Sequence, residues 1–103
     1  SRGKVIIGSR KPVAVPAGEP HLTIAYPLDG DRFMLEPQME SKTIPLKAIA
    51  RTPLRSVTWF VDGVEAATLG PPYETTLELR RGSHRLMAVG PDGLGDVVEV
   101  QLQ

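Results

Sequence analysis

Val57-Thr58-Trp59-Phe60-Val61-Asp62-Gly63 is the stretch on which the fold turns. Val57, Trp59 and Val61 alternate with Thr58 and Phe60, the two-residue period of a strand with one covered face. Asp62-Gly63 is the dipeptide that supplies positive φ in a tight hairpin turn, so Val64 to Thr68 is the returning strand. Trp59, the single tryptophan of the chain, therefore belongs at the centre of a core. Asp62 and Gly63 are assigned to the turn.

Outward from this hairpin, short runs rich in Val, Ile, Leu and Thr are separated by Gly, Pro and Asp, and no helical period competes with them. On the N-terminal side, Leu22, Ile24 and Tyr26 form a strand closed by Pro27-Leu28-Asp29-Gly30, and Arg32 to Leu35 is a short second strand. Ile44, Leu46, Ala48 and Ala50 then share one face of a third, with Pro45 near its start or on an edge. On the C-terminal side, Gly70-Pro71-Pro72 breaks the chain before Thr75, Leu77 and Leu79. Arg81-Gly82 makes a corner, Ser83 to Val89 is apolar enough for a central strand, Gly90-Pro91-Asp92-Gly93 turns, and Asp96 to Leu102 closes the domain. The pattern predicts an all-β, immunoglobulin-like antiparallel β-sandwich of about seven strands over residues 21–103.

Residues 1–20 read differently. Pro12, Pro16, Pro20 and three glycines favour a flexible Pro-rich connector, with one short strand at Lys4 to Gly8 as an option because Val5, Ile6 and Ile7 are β-branched. Arg2, Lys4, Arg10 and Lys11 against Glu19 make this arm basic, while the remainder carries the opposite excess and the chain sums to zero. A weakly acidic body lacks the basic stripe that phosphate backbones require, which argues against a nucleic-acid partner. No apolar run approaches the ~20 residues of a membrane span, so no direct insertion by this segment is expected. The first residue is Ser1 rather than Met, which suits a processed chain or a fragment of a longer one.

With 103 residues and no cysteine, one small domain without thiolate chemistry is implied, with little room for an enclosed active site. Ser1-Arg2-Gly3-Lys4 matches S-x-x-K, but that chemistry needs its serine at the start of a buried helix, and the partner motifs are missing. Ser83 and His84 are neighbours on one strand and point to opposite faces, so they cannot pair as nucleophile and base. His84, just after the Gly82 corner, is better explained as a side chain that bonds back to nearby backbone and locks the corner. Asp29, Asp31 and Glu36 lack a full calcium-loop spacing and are turn residues, as are Asp92 and Asp96. His21 and His84 have no supporting ligands. No catalytic residue, cofactor or metal is expected. Glycan contact is an option through Phe60 and Tyr73 as outward rings, with Arg80, Arg81 or Arg85 reaching acidic groups, although Phe60 fits equally well beneath the returning strand or a loop.

From Pro20 to Leu102 the chain resembles the carboxy-terminal domain of bifunctional (class A) penicillin-binding proteins of the 1C type. Ile24-Ala25-Tyr26-Pro27-Leu28-Asp29-Gly30, Ile44-Pro45-Leu46-Lys47-Ala48, Val57 to Gly63 and Arg81-Gly82-Ser83-His84-Arg85-Leu86 carry the likeness. W-F-V-D-G followed by G-x-H-x-L is its most specific part. The family pattern puts an aspartate soon after the strand that follows that corner, whereas here Val89 leads into Gly90-Pro91-Asp92-Gly93-Leu94-Gly95. The resemblance implies a periplasmic, non-catalytic accessory domain of a peptidoglycan glycosyltransferase/transpeptidase, with a structural cap of the transpeptidase domain as an alternative role. Its expected partners are the parent transpeptidase domain or periplasmic cell-wall proteins, with peptidoglycan as an alternative. Residues 1–20 are then the connector.

Overall fold

Two residues with positive φ in succession, Asp62 at 53° and Gly63 at 87°, close the hairpin that the D-G dipeptide predicts. Their twist matches that of the strands they join. Around it the computed structural model describes residues 21–103 as eight strands. They are β1 (Leu22–Tyr26), β2 (Arg32–Phe33), β3 (Ser41–Ala50), β4 (Val57–Val61), β5 (Val64–Leu69), β6 (Glu74–Arg80), β7 (Gly82–Val89) and β8 (Gly95–Leu102). The expected connector 1–20 and the optional strand at Lys4–Gly8 lie outside the described residues. One sheet has the order β1-β3-β6 and the other β2-β8-β7-β4-β5. The predicted sandwich is the observed architecture, with one departure in detail. The two-residue β2 runs parallel to β8, pairing Arg32 with Gln101 and Phe33 with Leu102, while all the other pairings are antiparallel.

Alternation fills the space between the sheets. Leu22, Ile24, Ile44, Leu46, Ala48 and Leu79 from the first face Val57, Trp59, Leu86, Ala88, Val98, Val100 and Leu102 from the second, and each is buried. Trp59 is fully enclosed. The strand SHRLMAV lies in the middle of the five-stranded sheet. Pro45 sits in β3 opposite Thr76, just past the last β1–β3 pair, Tyr26 with Lys47. On the β1 side its missing N–H therefore leaves no ladder bond unmade.

The aspartates close the β1/β2 side of the sandwich. Asp96 Oδ2 accepts the Ile24 N–H at 2.9 Å, a tie between the two sheets. Asp29 Oδ1 accepts the Glu99 N–H at 2.8 Å and Asp31 Oδ2 the Leu28 N–H at 2.9 Å. Asp92 Oδ1 caps the Leu94 N–H at 3.0 Å in the β7–β8 turn. Asp31 and Asp92 thus serve their own turns as expected, whereas Asp29 and the strand residue Asp96 bond backbone remote in sequence rather than a turn.

Tyr73 departs from expectation. The sequence reading offered it as an outward ring, but its φ of 66° reverses the chain direction after Gly70-Pro71-Pro72 and leaves the residue only 6% exposed. The hydroxyl accepts the Leu54 N–H at 2.8 Å and donates to the Leu54 carbonyl. The Tyr73 carbonyl receives Trp59 Nε1–H at 3.3 Å. Tyr73→Phe strips Leu54 of both partners and is expected to cost about 1–3 kcal/mol, the range for orphaned part-buried polar groups. Equilibrium urea unfolding checks this, and a change within error would mean that water replaces the phenol there.

Candidate functional site

The two halves of the W-F-V-D-G … G-x-H-x-L pattern meet in space. β4 lies antiparallel to β7 with Trp59 opposite Ala88, Phe60 opposite Met87 and Val61 opposite Leu86. Beyond Val61, the Asp62 N–H donates to the Arg85 carbonyl at 2.8 Å, and Asp62 Oδ1 accepts the Arg85 N–H at 2.9 Å. Asp62 Oδ2 contacts His84 Nδ1 at 2.8 Å, and His84 Nε2 donates to the Arg80 carbonyl at 2.7 Å. One histidine thus ties the β4–β5 turn to the β6–β7 corner, the corner-locking role that its position suggests. Asp62 adds a partner that the sequence reading did not foresee. Both ring nitrogens face acceptors, a carboxylate and a carbonyl, so the imidazolium form donates to both at once. Neither nitrogen is left over to take a proton from a nucleophile. Ser83, on the opposite face of β7, is exposed.

The Asp62 carboxyl titrates below its ordinary value of 3.8. Burial pushes it up, but the Arg85 amide, the His84 hydrogen bond and the His84 charge together outweigh burial and pull it down. Between the unfolded and the lowered folded value, the unfolded chain binds more protons at this site. The stabilisation is therefore complete above the ordinary aspartate range and disappears as pH falls through the lowered value. In Asp62→Asn, the stability difference from wild type should shrink toward low pH in that window, read from urea unfolding at stepped pH. His84→Ala should cost about 1–3 kcal/mol through the partners it leaves. Unchanged stability in His84→Ala would make the ring dispensable to the corner and open to another role.

The outer face of the five-stranded sheet is the best-organised surface. Cross-strand register sets Glu65, Phe60, Met87 and Val97 in one row from β5 to β8. Thr68, Thr58 and Val89 form the next row, and Arg85 faces Glu99 on the other flank. Phe60, Met87 and Val97 are each half-buried, packed on a sheet face that no element covers among the described residues. Phe60 thus lies neither free nor beneath a loop. Alternation alone places it outward; Met87 and Val97 were missed because their row appears only once the β4–β7–β8 register is known.

The grouping expected for a glycan platform is not assembled. Tyr73 is in the core, so it does not join Phe60 as an outward stacking ring. Arg85 is on the outer face of the five-stranded sheet and Arg80 is exposed on β6 of the other sheet. Arg81 Nη2 donates to the Glu36 and Met39 carbonyls at 3.3 and 2.5 Å, holding the loop before β3. Gly82, with φ of 128°, forms the corner at the head of β7. An open concavity on the smaller sheet is lined by Ala25, Tyr26, Pro45, Lys47, Glu74 and Thr76. No cluster of three or more potential metal ligands occurs among the described residues.

These features define an immunoglobulin-like β-sandwich module whose polar contacts brace backbone corners. The chain belongs to the penicillin-binding protein C-terminus family, that of the carboxy-terminal domains of bifunctional penicillin-binding proteins, whose family model matches residues 12–100. Among solved structures, it is similar to the fibronectin(III)-like modules of CbhA from Clostridium thermocellum, with a TM-score of 0.64 and 16% identity over 80% of this chain and 95% of that one. A lytic polysaccharide monooxygenase from Jonesia denitrificans is more distant, with a TM-score of 0.49 and 18% identity over 75% of this chain and 60% of that one. No curated protein is significantly similar in sequence.

Proposed function

We propose that this chain is a non-catalytic accessory domain of a peptidoglycan glycosyltransferase/transpeptidase of the 1C type, periplasmic in location, that makes protein contact through the outer face of its five-stranded sheet. The family match over residues 12–100 carries the reading. The geometry supports it. His84, Asp62, Asp29, Asp31, Asp92 and Asp96 are all engaged in bracing turns and strands, which leaves no paired acid and base over a cleft among the described residues. The row Phe60, Met87 and Val97 offers apolar surface between the Glu65 carboxylate and the Arg85–Glu99 row, the arrangement of an apolar centre with a polar rim found at protein interfaces.

The test is an amide NMR titration of the labelled chain, first with soluble muropeptides and then with the parent transpeptidase domain. Silence with muropeptides and shifts spreading from Phe60, Met87 and Val97 with the transpeptidase domain are expected. Contiguous shifts around Phe60 and Arg85 with muropeptides would replace protein contact by glycan binding. A covalent adduct with a β-lactam would overturn the non-catalytic assignment.

A further inference from the structure

We infer that the edge strand β6 is a homotypic docking site, at which a second copy of the chain pairs antiparallel about a twofold axis at Leu77. Among the described residues the two sheets end in four edge strands, β1, β6, β2 and β5, and three of them carry devices that discourage pairing. β1 is bulged between Ile24 and Tyr26, and its Ile24 N–H is bonded by Asp96. β2 is two residues long. β5 is bulged opposite Trp59 and Phe60. Short edges, bulges and inserted side chains are the usual protections of sheet edges.

β6 is neither short nor bulged, and the side chain that bonds its backbone, His84, does so only at its last carbonyl, that of Arg80. Its seven residues pair with β3 in unbroken register, from Lys47 opposite Glu74 to Ser41 opposite Arg80. Proline is absent from it. Both ends are fixed from the other sheet, since Trp59 bonds the Tyr73 carbonyl just before the strand and His84 the Arg80 carbonyl at its end. In an edge strand, every second residue turns its N–H and C=O away from the sheet, which leaves a straight template.

The charges on β6 select the occupant and the register. Glu74, Thr76, Glu78 and Arg80 share the exposed face, and Thr75, Leu77 and Leu79 the inner one. With the axis at Leu77, Glu74 lies opposite Arg80 of the partner subunit, and the reciprocal pair forms at the other end. Thr76 meets Glu78 of the partner subunit, and the half-buried Leu77 meets its own copy. Opposite charges directly across a ladder stabilise the pairing and like charges oppose it. Moving the axis to Thr76 sets Glu74 against Glu78, and moving it to Glu78 sets that residue against itself. Moving it to Leu79 sets Glu78 against Arg80 of the partner subunit but leaves Glu74 and Thr76 without a β6 residue opposite, so the Leu77 register is the one that pairs unlike charges over the whole strand. Glu74 already has Lys47 Nζ at 3.8 Å on its inner side, so the second copy supplies a cation on its open side.

The experiment is sedimentation equilibrium of the whole chain over a wide concentration range. Wild type should show a monomer–dimer equilibrium that weakens with added salt. Glu74→Arg and Arg80→Glu should each weaken it by about tenfold or more, since each reversal creates two like-charge pairs per dimer. The double variant Glu74→Arg/Arg80→Glu should dimerise as wild type does. Far-UV circular dichroism and thermal melts confirm that each variant is folded, as both side chains are exposed. Concentration-dependent slowing of amide exchange should fall on β6 and spare β1 and β5. A wild-type chain that stays monomeric to its solubility limit would overturn the proposal, as would a double variant no better than the singles. A dimer whose β6 amides exchange at the monomer rate would overturn it too.

Discussion

Trp59→Ala should destabilise the domain by about 3–5 kcal/mol, the usual range for emptying a core aromatic site. The indole is fully enclosed and stands on β4, which is flanked by β7 on one side and β5 on the other. Collapse around the void would require β4 to shift against both neighbours, so the cavity should persist. The same truncation removes the Nε1–H donor from the Tyr73 carbonyl, and Tyr73 in turn holds Leu54. The loss therefore combines a cavity with a loosened loop contact. Trp59→Phe restores most of the ring volume without the donor and should fall between wild type and Trp59→Ala. Far-UV circular dichroism in urea is the readout, because the variant lacks the one indole fluorophore. A cost below about 1 kcal/mol would mean that Trp59 is not the centre of the core.

Much of this architecture was legible because β alternation is a local signal. Leu22, Ile24, Ile44, Leu46, Trp59, Val98 and Val100 were read as inward from spacing alone, and each is buried. The D-G hairpin was equally plain, since its positive φ is demanded by the turn itself. What stayed hidden depends on register or on single backbone torsions. Tyr73 follows two prolines, outside any alternating run, and one left-handed residue was enough to swing its ring into the core. Phe60 was correctly placed off the core face, yet its neighbours Met87 and Val97 come from strands whose pairing no local pattern specifies. The Asp62–His84 contact spans 22 residues. Only the two motif halves, taken together, hinted at it.

The His84 corner and the outer sheet face also separate stability from recognition. Trp59, Tyr73, His84 and Asp62 form one connected set, running from the core through the β6 ends to the hairpin turn. Substitutions there should change folding first. Phe60, Met87 and Val97 lie across the sheet from the core, so changes to them can alter contact at smaller cost in stability. A surface built on a braced sheet loses less conformational freedom on binding than one built on loops, which suits the contact role proposed for this face.

Gly95→Ala should be the second severe substitution, costing about 3 kcal/mol, the upper part of the overpacking range. A Cβ at Gly95 would lie 1.8 Å from the Ala88 carbonyl oxygen, 2.8 Å from its carbon and 2.9 Å from Val89 Cα. All three are backbone atoms of β7, the middle strand of its sheet, so no side chain can rotate to make room. Relief requires the β7–β8 ladder to open at Val89–Gly95 and Ala88–Asp96, which also pulls Asp96 away from the Ile24 N–H. The sequence presents Gly95 as one more turn residue after Gly90-Pro91-Asp92-Gly93, whereas it is the first residue of β8, where only a hydrogen fits. Gly93→Ala separates the two reasons for glycine in this turn. Gly93 has φ of 84° with nothing within 4 Å of the added carbon, so its cost is torsional strain alone, about 1–2 kcal/mol. If close backbone approach is what reserves position 95, Gly95→Ala unfolds at clearly lower denaturant than Gly93→Ala. Equal or reversed midpoints would mean that the β7–β8 junction yields easily, and that its glycine serves the turn rather than the ladder.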